Sequence, residues 1–391
     1  VAGVPAALRG VPRLEDLGDL RGRRVLVRAD LNTPLVAGPD GHLEVADDFR
    51  VRAALPTLEW LQAHGAHVTC AAHLGRPSGP DDAACSMAPV RAALAALAPG
   101  VELLENLRFD PGEKSNDPAF VDRLVEGFDA FVNEAFGVAH RSHASVVGPP
   151  ARLPSAAGRR LVEEVEVLGG LLEHPRHPFV AVLGGAKVAD KLGVLAAICK
   201  VADAVLLGGG MAFTLLKAKG RGVGDSLVDD ARLEDCASLL ATASNLELPS
   251  DVVALSPGAP IGPGCTGGSV ASFEGDLPEG WRGLDIGERT TARYAERLAG
   301  AATILWNGPM GVFEDERFAA GTFALAAATA ASGAFSVVGG GDSARAIDVA
   351  GLADQVSFVS TGGGAALEFL EHGDLPALVA LRSAPNAPRR T

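Results

Sequence analysis

Six of the chain's 34 basic residues are lysines, and two of those, Lys187 and Lys191, directly follow a glycine pair. The run is Ala-Val-Leu-Gly-Gly-Ala-Lys-Val-Ala-Asp-Lys (181–191). It reads as the end of a buried strand, a glycine turn, and a helix carrying both lysines one turn apart. Like charges at that spacing destabilise a helix by a few tenths of a kcal/mol unless an anion lies between them. A phosphate would serve, because a helix N-terminus presents free N–H groups and a partial positive charge. The competing reading pairs Lys187 with Asp190 and leaves Lys191 in solvent. The nucleoside-triphosphate signature GxxxxGK[ST] does not fit the run.

Ligands of open parallel sheets bind beyond the carboxyl ends of the strands, and those ends carry further chemistry here. In the first half they read Arg28-Ala29-Asp30-Leu31-Asn32, His73-Leu74-Gly75-Arg76, Glu105-Asn106-Leu107-Arg108 and Asn133-Glu134-Ala135-Phe136-Gly137. His140, Arg141 and His143 follow the last of these, and Arg50 opens a helix after Asp47-Asp48. Any one arginine is satisfied by a local acid such as Asp48 or Glu105, and any one histidine reads as structural. Together they ask for an anion, whose oxygens match the planar guanidinium fork. Asp30 and Asn32 add an acceptor and an amide suited to a hydroxyl on the same ligand.

The second half uses glycines instead: Gly184-Gly185, Gly208 to Gly210, Gly308, Gly339-Gly340-Gly341-Asp342-Ser343 and Gly362 to Gly364. Such turns let backbone N–H groups approach phosphate oxygens, though they also permit close helix–strand packing. Asp342 is the acid set directly in one of them and is a candidate Mg²⁺ ligand. Asn307, the apolar stretch behind it and Glu314 complete a set suited to a nucleotide, with Glu314 on the ribose hydroxyls.

The elements that must position these residues alternate from end to end. Strands are expected at 24–29, 66–72, 101–104 and 129–133, then at 179–183, 203–207, 251–255, 303–306, 335–338 and 356–359. Helices fill the gaps, for example 51–63 and 290–299. Apolar strands separated by helices imply parallel sheets covered on both faces. The expected fold is therefore α/β, with two doubly wound, Rossmann-like parallel-sheet domains and an interdomain cleft. Gly148-Pro149-Pro150 and Leu153-Pro154 interrupt the pattern, and residues 156–172 read as a connecting helix ended by His174-Pro175. This places a first domain at 1–157, a helix and hinge at 158–174 and a second domain from 175.

Composition narrows the partners. A formal charge of −14 over 391 residues argues against nucleic acid and acidic membrane surfaces. Both halves are acidic, with 17 basic against 23 acidic residues up to position 170 and 17 against 25 after it. Anion binding must therefore come from local clusters. The five scattered cysteines include no CxxC pair and read as reduced thiols of a cytoplasmic protein. No apolar run approaches the ~20 residues of a membrane helix, and a monomer acting on small molecules is expected.

In order and spacing the motifs resemble phosphoglycerate kinase over essentially the whole chain. They include RVLVRADLNTP (24–34), HLGRP (73–77), NEAFGVAHRSH (133–143), GGAKVADK (184–191), WNGPMGVFE (306–314) and GGGDSA (339–344). The resemblance implies Mg²⁺-dependent phosphoryl transfer between ATP and the carboxylate of 3-phosphoglycerate, giving ADP and 1,3-bisphosphoglycerate, in glycolysis and reversibly. It places Asp30, Asn32, Arg50, His73, Arg76, Arg108 and Arg141 at the phosphoglycerate. It places Lys187, Lys191, Asn307, Glu314, Gly340, Gly341, Asp342 and Ser343 on the nucleotide side, with Asp342 on Mg²⁺ and Arg50, Lys187 and Lys191 catalytic. It also ends the second domain at 373 and returns residues 374–391 to the first. Gly287-Glu288-Arg289-Thr290, Arg159-Arg160, Arg345 and Ala366 depart from the family pattern, and the first of these is expected to loosen a loop near the nucleotide. A nucleotide-binding protein without catalysis would lack a transfer residue, and none is missing. A dinucleotide oxidoreductase would carry GxGxxG after its first strand, which is absent.

Overall fold

A computed structural model describes residues 4–387; residues 1–3 of the expected first domain and 388–391 of the expected C-terminal segment lie outside the described residues. The chain divides into two compact units. Of the described residues, one comprises 4–170 and 372–387, the other 171–371.

The first unit is built on a five-stranded parallel sheet in the spatial order Glu102–Leu103, His67–Ala71, Arg24–Arg28, Ala130–Asn133, Ser155–Ala157. The chain starts in the middle, winds out to one edge, then crosses to the other. Its direction reverses between Arg24–Arg28 and Ala130–Asn133, which makes the space beyond their carboxyl ends the natural crevice. Val25, Leu26 and Val27 are fully buried, as a strand covered on both faces requires. One face packs on the helix Phe49–Ala63 through Val51, Ala54, Leu58 and Leu61. The other packs on Phe120, Val121 and Leu124 of Pro118–Val125. A short hairpin, Leu35–Ala37 against Leu43–Val45, which the sequence pattern missed, sits between the Asp30 loop and the Arg50 helix.

Leu153-Pro154, read as a plain break, introduces the edge strand Ser155–Ala157. The helix Arg159–Glu173 follows at once, burying Leu161, Val165, Leu168 and Leu171 along one stripe. Its free N–H groups are capped from outside. Thr57 Oγ1 accepts from the Arg159 amide at 2.8 Å, and the buried Glu134 carboxyl oxygen accepts from the Arg160 amide at 3.1 Å. The C-terminal helix Pro376–Leu381 also packs in this unit, with the Ala377 amide donating to the Ala139 carbonyl.

The second unit carries a six-stranded parallel sheet in the order Leu246–Glu247, Ala204–Leu207, Phe179–Leu183, Thr303–Asn307, Phe335–Gly339, Phe358–Val359. Its reversal lies between Phe179–Leu183 and Thr303–Asn307. Two expectations are corrected here. Asp251–Leu255 is not part of that sheet; it is the middle strand of an antiparallel sheet with Val270–Glu274 and Arg282–Ile286. The outer strand Val270–Glu274 alternates between exposed and half-buried residues, so the apolar-run criterion missed it. Nor does a helix carry Lys187 and Lys191. Residues 184–191 form an irregular turn, and the helix begins at Leu192 with Lys191 at its N-cap position.

Candidate active site

In the first unit the site is assembled around a buried arginine. Arg28 ends the central strand and is 1% exposed. Its Nε donates to Ser145 Oγ at 2.8 Å, one terminal nitrogen donates to the Ala29 carbonyl, and the other meets His73 Nδ1 at 3.2 Å. Because the guanidinium only donates, His73 Nδ1 accepts and the ring hydrogen lies on Nε2. Burial, reinforced by Arg28, Arg108, Arg50 and His143, holds the His73 pKa well below the usual histidine range, so the ring is neutral. Behind Ser145 lies Glu113, fully buried, accepting from the Ser145 amide at 2.9 Å and hydroxyl at 2.7 Å, with His143 Nδ1 at 3.7 Å. Arg28 and Glu113 were both missed as organising residues. The one signal was an arginine closing an otherwise apolar strand.

The loops after the strands are cross-tied. Asn32 Oδ1 accepts from the Gly75 amide at 2.8 Å, and Arg108 donates to the Gly75 carbonyl at 2.7 Å. Asn106 Nδ2 donates to the Leu74 carbonyl at 2.8 Å and the Cys85 carbonyl at 2.7 Å. Arg50 is paired with Asp30. A Cβ at Gly137 would run into Asp30 Oδ2, so a side chain there would have to displace the carboxylate that pairs with Arg50. Burial lowers the Arg108 pKa, and repulsion from Arg28, Arg76 and Arg141 adds to it against the pull of Glu113. Five arginines, Arg28, Arg50, Arg76, Arg108 and Arg141, are thus gathered at one end of the sheet, with Asp30 and Glu113 as the counter-charges named in these contacts. Arg76 and Arg141 are exposed. His140 lies beside them, its pKa pushed down to about 4 by burial and then by Arg141 and His143.

In the second unit Lys191 closes the switch point itself. Its Nζ donates to the Gly184 carbonyl at 2.7 Å, the Asn307 carbonyl at 3.0 Å and Asn307 Oδ1 at 2.6 Å. Those acceptors sit at the carboxyl ends of the two strands where the sheet reverses, Asn307 ending one and Gly184 following the other. Burial pushes the Lys191 pKa down to about 8, against the pull of Asp342 and Asp190. Gly308 has a positive φ of 99°, and a Cβ there would lie 2.2 Å from the Gly184 carbonyl oxygen, so only glycine lets the two turns meet. Lys187 is exposed and, among the described residues, has no ion-pair partner; it does not pair with Asp190.

Beside this turn lies a cavity of about 440 Å³, lined by the glycine turns, by Leu227, Ile261, Leu284, Pro309 and Val312, and by Glu314 and Asp342. The helix Gly341–Val349 begins at its rim, with Gly340 at a positive φ of 90° before it. Asp342 is exposed in the first turn of that helix. The Ser343 side chain points the other way: it is fully buried, and its Oγ accepts from the Gly308 amide at 2.6 Å. The hydroxyl therefore shapes the Gly308 turn. Arg345 is exposed, its guanidinium 5.9 Å from the Phe313 ring.

A model of the phosphoglycerate kinase family matches residues 14–102 and 92–373. The chain is 48% identical over 387 residues to the phosphoglycerate kinase of Rubrobacter xylanophilus, across 93% of this chain and 96% of that one. It is 49% identical over 402 residues to that of Salinispora tropica, across 95% and 99%. The chain belongs to the phosphoglycerate kinase family. The structure of the Coxiella burnetii phosphoglycerate kinase superposes with a TM-score of 0.82 at 38% identity, covering 95% of this chain and 98% of that one. The Pyrococcus horikoshii enzyme gives 0.80 at 31%, with the same coverage. Phosphoglycerate kinases are phosphotransferases with a carboxyl group as acceptor, and this chain is one of them. The family departure at Gly287–Thr290 does not loosen a loop: the Asp251 carboxylate accepts from the Arg289 amide at 3.0 Å and the Thr290 amide at 2.8 Å.

Proposed function

We propose that the chain transfers a phosphoryl group reversibly between ATP and the carboxylate of 3-phosphoglycerate, the first unit taking the phosphoglycerate and the second the nucleotide. The observation that carries this assignment is the set of five arginines around a neutral His73. A ligand with two anionic ends and a hydroxyl satisfies such a cluster. Arg76, Arg108 and Arg141 would hold the phosphate end, Asp30 and Asn32 the hydroxyl, and His73 Nε2–H would add a neutral donor. Arg50, already oriented by Asp30, would meet the reacting carboxylate.

On the nucleotide side the glycine turns and the N-terminus of Gly341–Val349 offer backbone N–H groups to the phosphates. Glu314 would accept from ribose hydroxyls, and the apolar lining would take the base. Asp342, exposed at the cavity rim, suits Mg²⁺, which is commonly held by one or two carboxylates together with substrate phosphates. Bound there with the nucleotide, Mg²⁺ would neutralise charge on the phosphate oxygens.

The chemistry needs positioning and charge neutralisation more than proton transfer. The carboxylate oxygen is ionised at pH 7 and forms the new O–P bond as the β,γ-bridging P–O bond of ATP breaks. All three hydrogens of the Lys191 ammonium are engaged, so meeting the phosphoryl would require it to release an acceptor, Asn307 Oδ1 being the side-chain one. Lys187, exposed on the same turn, is available to the nucleotide phosphates. Two ligands held by two units must be brought into line, and residues 150–175 are the proposed hinge. ATP consumption by the purified protein with 3-phosphoglycerate and Mg²⁺ tests the assignment, and absence of turnover refutes it. Small-angle scattering with both ligands should show compaction; an unchanged radius of gyration would remove the hinge.

A further inference from the structure

The antiparallel sheet of the second unit contains an unusually long hairpin connection, Ser256–Ser269, between Asp251–Leu255 and Val270–Glu274. Connections beyond roughly 12–15 residues without secondary structure are uncommon and are often functional. This one carries three prolines and five glycines, four of the glycines at positive φ, and Ala259 is its only residue in the buried core. Nothing in its own composition gives it a shape. Yet Ile261, near its tip, is one wall of the 440 Å³ cavity, and it is 36% exposed there. Leu227, 56% exposed, lines the same cavity. Two large apolar side chains held in the open around one cavity are what an apolar, flat ligand face would cover.

The loop is held by a fork from another segment. Arg317 Nη1 donates to the Gly267 carbonyl at 2.6 Å, and Nη2 donates to the Pro260 carbonyl at 2.9 Å. The same guanidinium grips Asp315 through Nε at 2.9 Å and Nη2 at 2.7 Å, and Asp315 Oδ2 accepts from the Gly262 amide at 3.1 Å. Asp315 is 1% exposed. Arg282, which also lines the cavity, donates to the Ala259 carbonyl. Asp315 and Arg317 follow within three residues of Glu314, so a single short segment supplies both a cavity-lining carboxylate and the lock on the loop that carries Ile261. The Arg317 hydrogen bonds keep the Asp315 carboxyl down at about 2, so the pair stays charged across the working pH range.

We propose that Asp315 and Arg317 are positioning residues for nucleotide binding: they clamp the Ser256–Ser269 loop so that Ile261 forms the outer wall against the base. This rests on the assignment of the cavity to the nucleotide. The double variant D315A/R317A removes both charges together and so leaves no unpaired ion. It should keep its circular dichroism spectrum and its KM for 3-phosphoglycerate, raise the KM for ADP about tenfold with kcat within about twofold, and speed hydrogen exchange at 258–268. R317K, which keeps the charge without the fork, should fall between the double variant and the wild type. I261A, at an exposed side chain with little bearing on folding, should raise the ADP KM alone. An unchanged ADP KM in I261A, or in the folded double variant, overturns the clamp, as does a parallel rise in both KM values. L227D tests the underlying assignment separately: an unchanged ADP KM there means that the cavity does not take the nucleotide.

Discussion

Replacing Lys191 with methionine keeps a side chain of similar length and removes the charge. Two opposing quantities set its effect on stability. Burial pushes the Lys191 pKa from 10.5 down to about 8, and at about 1.4 kcal/mol per pKa step this corresponds to roughly 3 kcal/mol against holding the ammonium at pH 7. Methionine relieves that penalty. It also leaves the Gly184 carbonyl and Asn307 Oδ1 without the Lys191 donor, at about 1 kcal/mol each, while the Asn307 carbonyl keeps the Gly184 amide. The two nearly cancel, so the variant should unfold within about 2 kcal/mol of the wild type. Turnover should fall far more, by about 10²–10³ in kcat, the usual effect of deleting one preorganised donor to transition-state charge.

The pH dependence separates this account from a purely structural one. Below pH 8 both folded and unfolded wild type carry the proton, and the full penalty is present. Between about 8 and 10.5 the folded state releases it while the unfolded state retains it, so wild-type stability gains a contribution that rises with pH. Lys191→Met should lack that rise. Urea denaturation at pH 7, 9 and 10.5, alongside a coupled ATP assay at pH 7, reads both effects. Parallel stability curves for the two proteins, or a kcat within tenfold of the wild type, would refute the reasoning.

Arg50→Ala should lower kcat by about 10²–10³ and also lower stability, because it leaves the buried Asp30 carboxylate without its ion-pair partner; steady-state kinetics and thermal melts check both parts. Arg28→Met should act chiefly on stability, destabilising the first unit by at least about 3 kcal/mol, because Ser145, His73 and the Ala29 carbonyl lose a buried donor; a melting temperature close to the wild type contradicts it. Burial pushes the Glu134 carboxyl up to about 8 against its hydrogen bonds from Thr57 and the Arg160 amide. Its contribution is therefore complete below pH ~4.5 and is lost as pH rises through 8. Glu134→Gln should flatten stability over that window, measured by denaturant titration at pH 5 and 8.5.

The doubly wound sheets were legible because the interior strands are predominantly apolar, with polar residues such as Arg28, Asn133 and Asn307 at their ends, as strands covered on both faces require. The same criterion hid Val270–Glu274, whose residues alternate in exposure, and Leu35–Ala37, whose residues are half-buried or exposed. It also misplaced Asp251–Leu255, since a strand's partners are not recorded in its own hydrophobicity. Charged side chains at strand ends were legible by type, because arginines gathered there require an anion. Their division of labour was not. Arg28 and Arg108 come from similar sequence surroundings, and only burial shows that one organises the core of the site while the other borders it.

Lys191 marks the limit of sequence periodicity most sharply. Its spacing from Lys187 suggested two cations on one helix face sharing an anion. The glycines that prompted that reading are what defeat it: Gly185 adopts a positive φ of 106°, and the chain stays irregular up to Leu192. The helix therefore starts after both lysines, and they diverge. One stays in solvent, while the other folds back so that its ammonium donates to the Gly184 and Asn307 carbonyls where the sheet changes direction. The turn leaving the sheet there already supplies one donor, the Gly184 amide to the Asn307 carbonyl at 3.0 Å, and the ammonium adds to it. In the proposed role such a cation would exchange a protein oxygen for a phosphoryl oxygen. The placement of Lys191 follows from sheet topology, so if it meets the phosphoryl, a substitution that moves the Gly308 turn should lower turnover as removing the lysine itself does.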